Sequence, residues 1–200
     1  MSKKWTYKTP GIPDELFNQN DEVPGPTKEE IRVITISKAR LCEGFSVVDV
    51  GCGTGGLTVE SALQVSPNGK VYAIDEDEEA IKLTESNVEK FGLQKTVQVI
   101  QGKSPQALSN LPTMDAFLIG GSHLLRETIQ IAHKKLKANG RIVVNSILLE
   151  TATTALDEIK KLGFVEVDVV EIFVAKGKTV SSGTMMYARN PITIVSATKE

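Results

Sequence analysis

Cysteine is scarce in this chain, and the scarcity argues against two classes of protein. Among 200 residues there are two cysteines, Cys42 and Cys52, and they do not form a Cys-x-x-Cys pair. A disulfide scaffold would need more of them, and a zinc site would need cysteine and histidine clustered at short spacing. We therefore expect reduced thiols, no metal site and a cytoplasmic protein.

The chain also lacks long apolar runs and an excess of basic residues. No apolar stretch approaches the ~20 residues needed to cross a bilayer, and the polar start has no apolar core typical of a signal peptide. The formal net charge is -2, whereas nucleic-acid binders usually carry a basic excess. We expect neither a membrane nor a nucleic acid as partner.

Proline and glycine are concentrated in residues 1–26, which predicts an irregular N-terminal arm. Residues 27–200 are expected to form a single domain, because a chain of this length builds one sizeable core. Thr27 followed by Glu30 fits a capping box and predicts a helix from there to about Leu41.

Beyond that helix, short β-branched runs alternate with segments of helical length. The predicted strands are 45–50, 71–74, 96–100, 116–119 and 141–145, and the predicted helices are 56–65, 77–91, 104–110, 122–137 and 150–162. This alternation predicts an α/β fold with a doubly wound, mostly parallel sheet.

The C-terminal part departs from this alternation. Two β-rich runs, 165–175 and 185–196, flank a polar segment at 176–183, with no helix between them. We expect the two runs to pair as an antiparallel hairpin at the sheet edge, where Pro191 would be tolerated.

A glycine-rich loop follows the first predicted strand, at the position where doubly wound folds bind nucleotides. Gly51, Gly53 and Gly56 fit the dinucleotide pattern GxGxxG, and Gly51, Gly53 and Gly55 fit the GxGxG pattern of S-adenosyl-L-methionine (AdoMet) methyltransferases. Asp49 favours AdoMet, since a carboxylate suits a cationic amino acid end and not a pyrophosphate.

Asp75 ends the second predicted strand, at about the spacing (roughly 20 residues) at which an acidic side chain binds ribose hydroxyls. Both NAD and AdoMet sites use such a carboxylate, so Asp75 indicates a nucleoside cofactor without distinguishing the two. The alternative is that Asp75 only caps the helix that begins near Asp77.

Several segments together resemble the CbiT family, the decarboxylating precorrin methyltransferases of cobalamin biosynthesis. They are VPGPT at 23–27, DVGCGTGG at 49–56, GGS at 120–122, ILLET at 147–151, GTMM at 183–186 and RNP at 189–191. The resemblance implies a class I, Rossmann-like sheet of seven strands. It also implies AdoMet-dependent methylation of a cobalt-precorrin at carbon 15, loss of carbon dioxide from the carbon-12 acetate, and a homotetramer.

The resemblance further implies which residues contact the cofactor: Thr27, Gly51, Cys52, Gly53, Thr54, Gly55, Asp75 and Ser104, with Asp49 nearby. One residue departs from the family pattern, because Lys103 replaces an acidic residue expected near the adenine amine. We therefore expect Ser104 to act through its backbone N–H.

Catalytic and substrate-binding residues are less sharply indicated. Gly120, Gly121 and Ser122 end the fourth predicted strand, where Ser122 is either a catalytic group or a helix cap. Glu150 either touches substrate or stabilises a helix N-terminus. Arg189, with Lys176 and Lys178, either meets substrate carboxylates or protects a sheet edge.

Three other functions remain open on sequence grounds. The same fold serves RNA and protein methyltransferases, the glycine loop also fits an NAD-linked oxidoreductase, and a non-catalytic AdoMet-binding regulator would need no catalytic group. The acidic net charge argues against RNA, and Asp49 with the C-terminal hairpin argues against NAD.

Overall fold

A computed structural model of the chain describes residues 5–121 and 123–200. The helices are α1 (Glu29–Ala39), α2 (Gly56–Val65), α3 (Glu78–Lys90), α4 (Leu125–Lys135) and α5 (Leu149–Lys161). The strands are β1 (Ser46–Val50), β2 (Lys70–Asp75), β3 (Val97–Gln101), β4 (Met114–Ile119), β5 (Leu136–Ser146), β6 (Val165–Ile172), β7 (Ala175–Val180), β8 (Gly183–Ala188) and β9 (Ile192–Thr198).

Seven strands form one sheet in the order β3-β2-β1-β4-β5-β9-β6. The first five of these are mutually parallel, whereas β9 runs antiparallel to both β5 and β6. This arrangement confirms the predicted class I methyltransferase fold. From β1 the chain adds β2 and β3 on one side and then crosses to add β4 and β5 on the other. Sheets of this kind bind ligands in the crevice at the carboxyl end of the strand where this reversal occurs, which here is β1.

The sheet is covered by helices on both faces, and its side chains alternate between the two resulting cores. In β1, Val47 packs into a cluster with residues of α1, α2 and α3, whereas Val48 and Val50 pack with α4 and α5. In the part of the chain that the structure describes, no helix is long and apolar enough to span a bilayer.

The two C-terminal β-rich runs pair antiparallel at one edge of the sheet, as β6 and β9, which confirms this part of the prediction. β9 lies between β5 and β6, so β6 is the edge strand on this side, and Pro191 precedes β9 without entering its ladder. The segment between the two runs differs from the prediction. The polar segment at 176–183 is largely strand, because β7 and β8 form a separate two-stranded hairpin. The sequence of this segment predicts a loop because its side chains are mostly polar and exposed. Its strands form through hydrogen bonds between the two backbones.

The predicted capping box at Thr27 is wrong. α1 begins at Glu29 with Lys28 as its N-cap residue, and the Lys28 side chain makes no capping hydrogen bond. Instead, the backbone N–H of Glu29 donates to Asp14 Oδ1 at 2.9 Å. A carboxylate from the N-terminal arm thus takes the place of a local cap, a contact that no short sequence pattern reveals.

Two other helices are shorter than predicted. The segment 104–110 contains only a 3₁₀ turn, Gln106–Leu108. α4 ends at Lys135 because β5 starts at Leu136, and Asn139, with φ 64°, lies inside that strand and not at a helix terminus. There the N–H of Asn139 pairs with the carbonyl of Lys199 at 2.8 Å.

Candidate functional site

The loops that follow β1, β2 and β4 meet at the carboxyl edge of the sheet. The N–H groups of Gly51 and Cys52 both donate to the carbonyl of Ile74, at 2.8 and 3.1 Å, and Gly120 N–H donates to Val50 at 2.9 Å. These bonds hold the glycine loop between its two neighbouring strands and define one crevice at the end of β1.

Two positions in this loop favour glycine for different structural reasons. Gly51 has φ 74°, and a Cβ there would lie 2.8 Å from the carbonyl oxygen of Gly121, so any side chain would collide with backbone. Gly53 has φ 54°, and a Cβ there would meet no atom within 4 Å. Gly53 therefore faces open space, where a ligand can approach the backbone closely.

The carboxylate of Asp75 lies directly against this loop. Its Oδ2 accepts the N–H of Gly53 at 2.9 Å, and its Oδ1 accepts the N–H of Asp77 at 3.1 Å. The cap of α3 is Asp77, which accepts the N–H of Glu79. Asp75 is therefore not the capping residue of α3, and its unused lone pairs are available to hydroxyl donors such as those of a ribose.

Asp49 lies beneath the glycine loop and is only 1% exposed. Burial, together with the nearby negative charge of Asp75, raises the pKa of Asp49 to about 6, although a 2.6 Å hydrogen bond from the Thr58 hydroxyl opposes the shift. Within residues 5–121 and 123–200, neither Asp49 nor Asp75 forms an ion pair. Two uncompensated carboxylates make this crevice attractive to a cationic ligand.

Side chains of α3 support the loop from behind. Thr84 Oγ1 donates to the carbonyl of Gly53 at 2.8 Å, and Asn87 Nδ2 donates to that of Thr54 at 2.8 Å. Neither residue was predicted to support the loop, although a polar residue on the buried face of an amphipathic helix indicates such a role.

Two other loop residues predicted to bind cofactor are buried. Burial raises the pKa of the Cys52 thiol, so Cys52 stays neutral and contributes packing. The Thr54 hydroxyl is buried and has no partner among the described residues. An orphaned hydroxyl in the loop, the open face at Gly53 and the unpaired carboxylates all fit a cationic nucleoside cofactor such as AdoMet.

The rim of the crevice carries the predicted adenine-side residues. Ser104 Oγ lies 2.5 Å from Thr128 Oγ1, so α4 engages its side chain. Lys103 pairs with Glu76 at 3.1 Å, and His123 approaches the same carboxylate at 3.3 Å. The charge of Lys103 is thus paired with an acidic side chain at the rim of the crevice.

Thr27 lies at the junction of the arm and α1, where its carbonyl accepts from Arg32. The preceding Pro26 packs against Gly56, the first residue of α2. This contact brings the arm next to the helix that follows the glycine loop.

The remaining predicted site residues do not all lie at the crevice. Gly120 and Gly121 are exposed at the crevice, Glu150 is exposed on the first turn of α5, and Ser122 lies outside the described residues. Arg189 is not a free cation, because its guanidinium pairs with Glu30 at 2.8 Å.

Comparison with known proteins gives one consistent result. The sequence model of a precorrin methyltransferase domain matches residues 15–199. A protein of Saccharolobus solfataricus named "Probable cobalt-precorrin-6B C(15)-methyltransferase (decarboxylating)" is 45% identical over 98% of this chain and 99% of its own length.

Two solved structures are similar over nearly the whole chain. The precorrin 8W decarboxylase of Methanobacterium thermoautotrophicum is 42% identical with a TM-score of 0.89, covering 93% of this chain and 98% of that one. The precorrin-6y C5,15-methyltransferase of Geobacter metallireducens is 31% identical with a TM-score of 0.88, covering 96% of this chain and 100% of that one.

Proposed function

Since the chain belongs to the precorrin methyltransferase family, we propose that it methylates carbon 15 of a cobalt-precorrin and decarboxylates the acetate on carbon 12. AdoMet is the methyl donor in this proposal. The observation that carries it is the glycine loop above two unpaired carboxylates, Asp49 and Asp75, beside an open approach at Gly53.

Each loop residue has a separate role in holding the donor. Asp75 would accept the ribose hydroxyls, Asp49 would favour the cationic amino acid end through its charge, and Gly53 would let backbone approach the ligand. Ser104 would offer its backbone N–H to the adenine, and Thr27 would close the crevice from the arm. A methyl group on a sulfonium is already activated, so these residues mainly need to orient it and exclude water.

The crevice contains few groups suited to acid–base chemistry. This fits a reaction in which the protein aligns a nucleophilic ring carbon with the methyl donor. The conjugated ring can itself accept the electron pair released when carbon dioxide leaves. Gly120 and Gly121 would leave room for the substrate, and Ser122 and Glu150 stay candidates for contact with it.

Domain organisation and assembly are part of the proposal. Residues 27–200 would form one methyltransferase domain, with residues 1–26 as a covering arm, in a cytoplasmic homotetramer. The β7–β8 hairpin supports self-association, because Met185, Met186 and Tyr187 are 49%, 63% and 61% exposed. Met185 and Tyr187 lie on one face of β8 and Met186 on the other, and exposed apolar side chains of this kind are typical of an interface.

Titration calorimetry with AdoMet and with NAD tests the cofactor. We expect AdoMet to bind with a dissociation constant on the order of micromolar, typical of cofactor sites (about -8 kcal/mol), and NAD not to bind. Binding of NAD without AdoMet would overturn the proposal in favour of an oxidoreductase. Methyl transfer to RNA instead of a precorrin would favour the alternative on the same fold, which the net charge of -2 disfavours.

A further inference from the structure

A polar amide stands at the carboxyl end of β5, on the face of the sheet that bears Asp49. Strand pairing aligns Asp49 with Leu118 of β4, and Leu118 with Val143 of β5. Two residues further along each strand, the same face carries Gly51, Gly120 and Asn145. Asn145 is thus the first side chain met in this row after two glycines.

The two glycines leave this row without side chains between β1 and β5, and we call this stretch of bare backbone the trough. A Cβ on Gly120 would meet the carbonyl oxygen of Gly51 at 3.5 Å, an ordinary van der Waals distance, whereas the backbone of Gly121 occupies the space beside Gly51. Two strand spacings separate the glycine loop from β5, a distance of ~10 Å. The trough begins at the cofactor crevice, and Asn145 carries the polar side chain at its far side.

The amide of Asn145 is held in a defined orientation. Its Nδ2 donates to Thr35 Oγ1 at 3.0 Å, and the Thr35 hydroxyl donates its single proton to the carbonyl of Ile31 at 2.8 Å. Thr35 is fully buried on α1, so this anchor is rigid. Within the described ranges Thr35 is the amide's one partner, and its Oγ1 also lies 3.2 Å from the amide oxygen, which leaves one N–H of Asn145 for a ligand.

An apolar surface begins immediately beyond this amide. Ile147, Leu148 and Leu149 follow β5 and are 65%, 62% and 72% exposed. Such a surface suits the flat apolar face of a large ring. Two of the three cations expected to meet the ring's carboxylates are engaged with α1, since Lys176 pairs with Glu29 at 3.2 Å and Arg189 with Glu30 at 2.8 Å. Asn145 offers a neutral donor beside this apolar surface.

We propose that Asn145 is a substrate-binding residue, whose amide N–H donates to a carboxylate of the tetrapyrrole and sets the ring over the trough. This inference rests on the proposed function. A neutral amide binds a carboxylate and leaves the negative field of Asp49 and Asp75 intact for the cationic donor.

The substitution Asn145→Asp tests this with almost no change of shape. An ionised aspartate repels a substrate carboxylate and cannot donate to it. We expect kcat/KM for cobalt-precorrin-6B to fall at least tenfold, mainly through KM. The dissociation constant for AdoMet should stay within about twofold. The exposed Asn110→Asp is the matched control and should leave both values unchanged.

Three results would overturn the inference. Asn145→Asp with kcat/KM within twofold of the natural chain would show that the amide does not bind substrate. A parallel loss of AdoMet affinity would show a structural role. Failure of the natural chain to bind AdoMet or to turn over would remove the proposed function and this inference with it. Should Asn145→Asp not fold, Asn145→Ala decides by the same criteria.

Discussion

The N-terminal arm and the β7–β8 hairpin differ in almost every structural property. In its described part, residues 5–26, the arm has no regular element beyond the 3₁₀ turn Asp14–Leu16, yet Ile12 and Phe17 are buried in the main core. The hairpin is a regular antiparallel ladder, yet its side chains are mostly exposed. Regular secondary structure is therefore no measure of how firmly a segment belongs to the fold.

A buried ion network explains why the irregular arm is firmly attached. Arg32, which is completely buried, pairs with Asp14 at 2.7 Å and with Glu60 at 2.8 Å. Glu60 also accepts the N–H groups of Gly11 and Ile12, at 3.0 and 3.1 Å. Because Glu60 belongs to α2, the arm is joined to the helix that starts at the glycine loop.

The hairpin contacts α1 through partly exposed charges near its base. Lys176 pairs with Glu29 and Glu30 of α1, and Arg189, just after β8, pairs with Glu30. All of these side chains keep substantial contact with water, and such pairs contribute little to folding stability. The two segments should therefore respond in opposite ways to substitution.

The largest effect is expected on breaking the arm's network with Arg32→Met. Removing one member leaves Asp14 and Glu60 buried without their cation, which costs about 3–5 kcal/mol. Chemical denaturation measures the free energy of unfolding. The control is Arg40→Met, which breaks an exposed pair with Glu166 and should cost about 0–1 kcal/mol. Equal costs for the two substitutions would contradict the comparison.

The next effect concerns the crevice on the arm's side of the molecule. Asp75→Asn removes the charge beside the glycine loop, and we expect AdoMet affinity to fall at least tenfold, about 1.4 kcal/mol. Calorimetry gives the affinity. Asp77→Asn is the matched control two residues away, because asparagine caps a helix as well as aspartate does. If the two variants bind AdoMet alike, the assignment of Asp75 is wrong.

A pH dependence should separate the crevice from the exposed hairpin. Asp49 is protonated below its raised pKa of about 6, so AdoMet affinity should rise between pH 5 and 7 and then level off. In the ligand-free protein Asp49 should act in the opposite sense. Its folded-state pKa of about 6 lies above the ordinary value of 3.8, so the contribution of Asp49 to the free energy of unfolding falls as pH rises from about 4 to 6. Carboxyl groups with lowered pKa values, such as Glu30 and Glu158, contribute with the opposite sign, so the difference between the natural chain and Asp49→Asn isolates the contribution of Asp49. The same pH dependence in both chains would exclude Asp49 as the cause.

The smallest effect on folding is expected in the hairpin. Met186→Lys places a charge on an exposed side chain and should change the free energy of unfolding by less than about 0.5 kcal/mol. Its mass in solution, measured by light scattering, should nevertheless drop if the hairpin joins copies of the chain. A variant with the same mass in solution as the natural chain would argue against the hairpin as the interface.

The sequence predicted the fold well wherever local periodicity decides the structure. The alternation of strands and helices, the loop at Gly51–Gly55 and the strand ending in Asp75 follow from local pattern and turn chemistry. The failures lie where distant residues meet. Asp14 replaces the predicted cap of α1, and β9 inserts between β5 and β6, and neither contact leaves a mark in the neighbouring sequence.

The site shows the same limit. Glycines and acidic residues after strands are visible in sequence, so the crevice at the end of β1 was predicted, and its role in binding a cofactor stays a prediction. The supporting residues Thr84 and Asn87, and the amide of Asn145, were not predicted, because their relevance depends on strand register and helix packing. Arg189 shows the opposite case. One of its two predicted roles was to meet the substrate, but its guanidinium forms an ion pair within the protein.

Product analysis tests the central claim most directly. The purified chain would be incubated with cobalt-precorrin-6B and AdoMet labelled in its methyl group, and the product examined by mass spectrometry. We predict a tetrapyrrole that has gained one labelled methyl group and lost one carbon dioxide, with about tenfold less formed by the Asp75→Asn variant at limiting AdoMet. An unchanged tetrapyrrole under conditions where AdoMet binds would contradict the account.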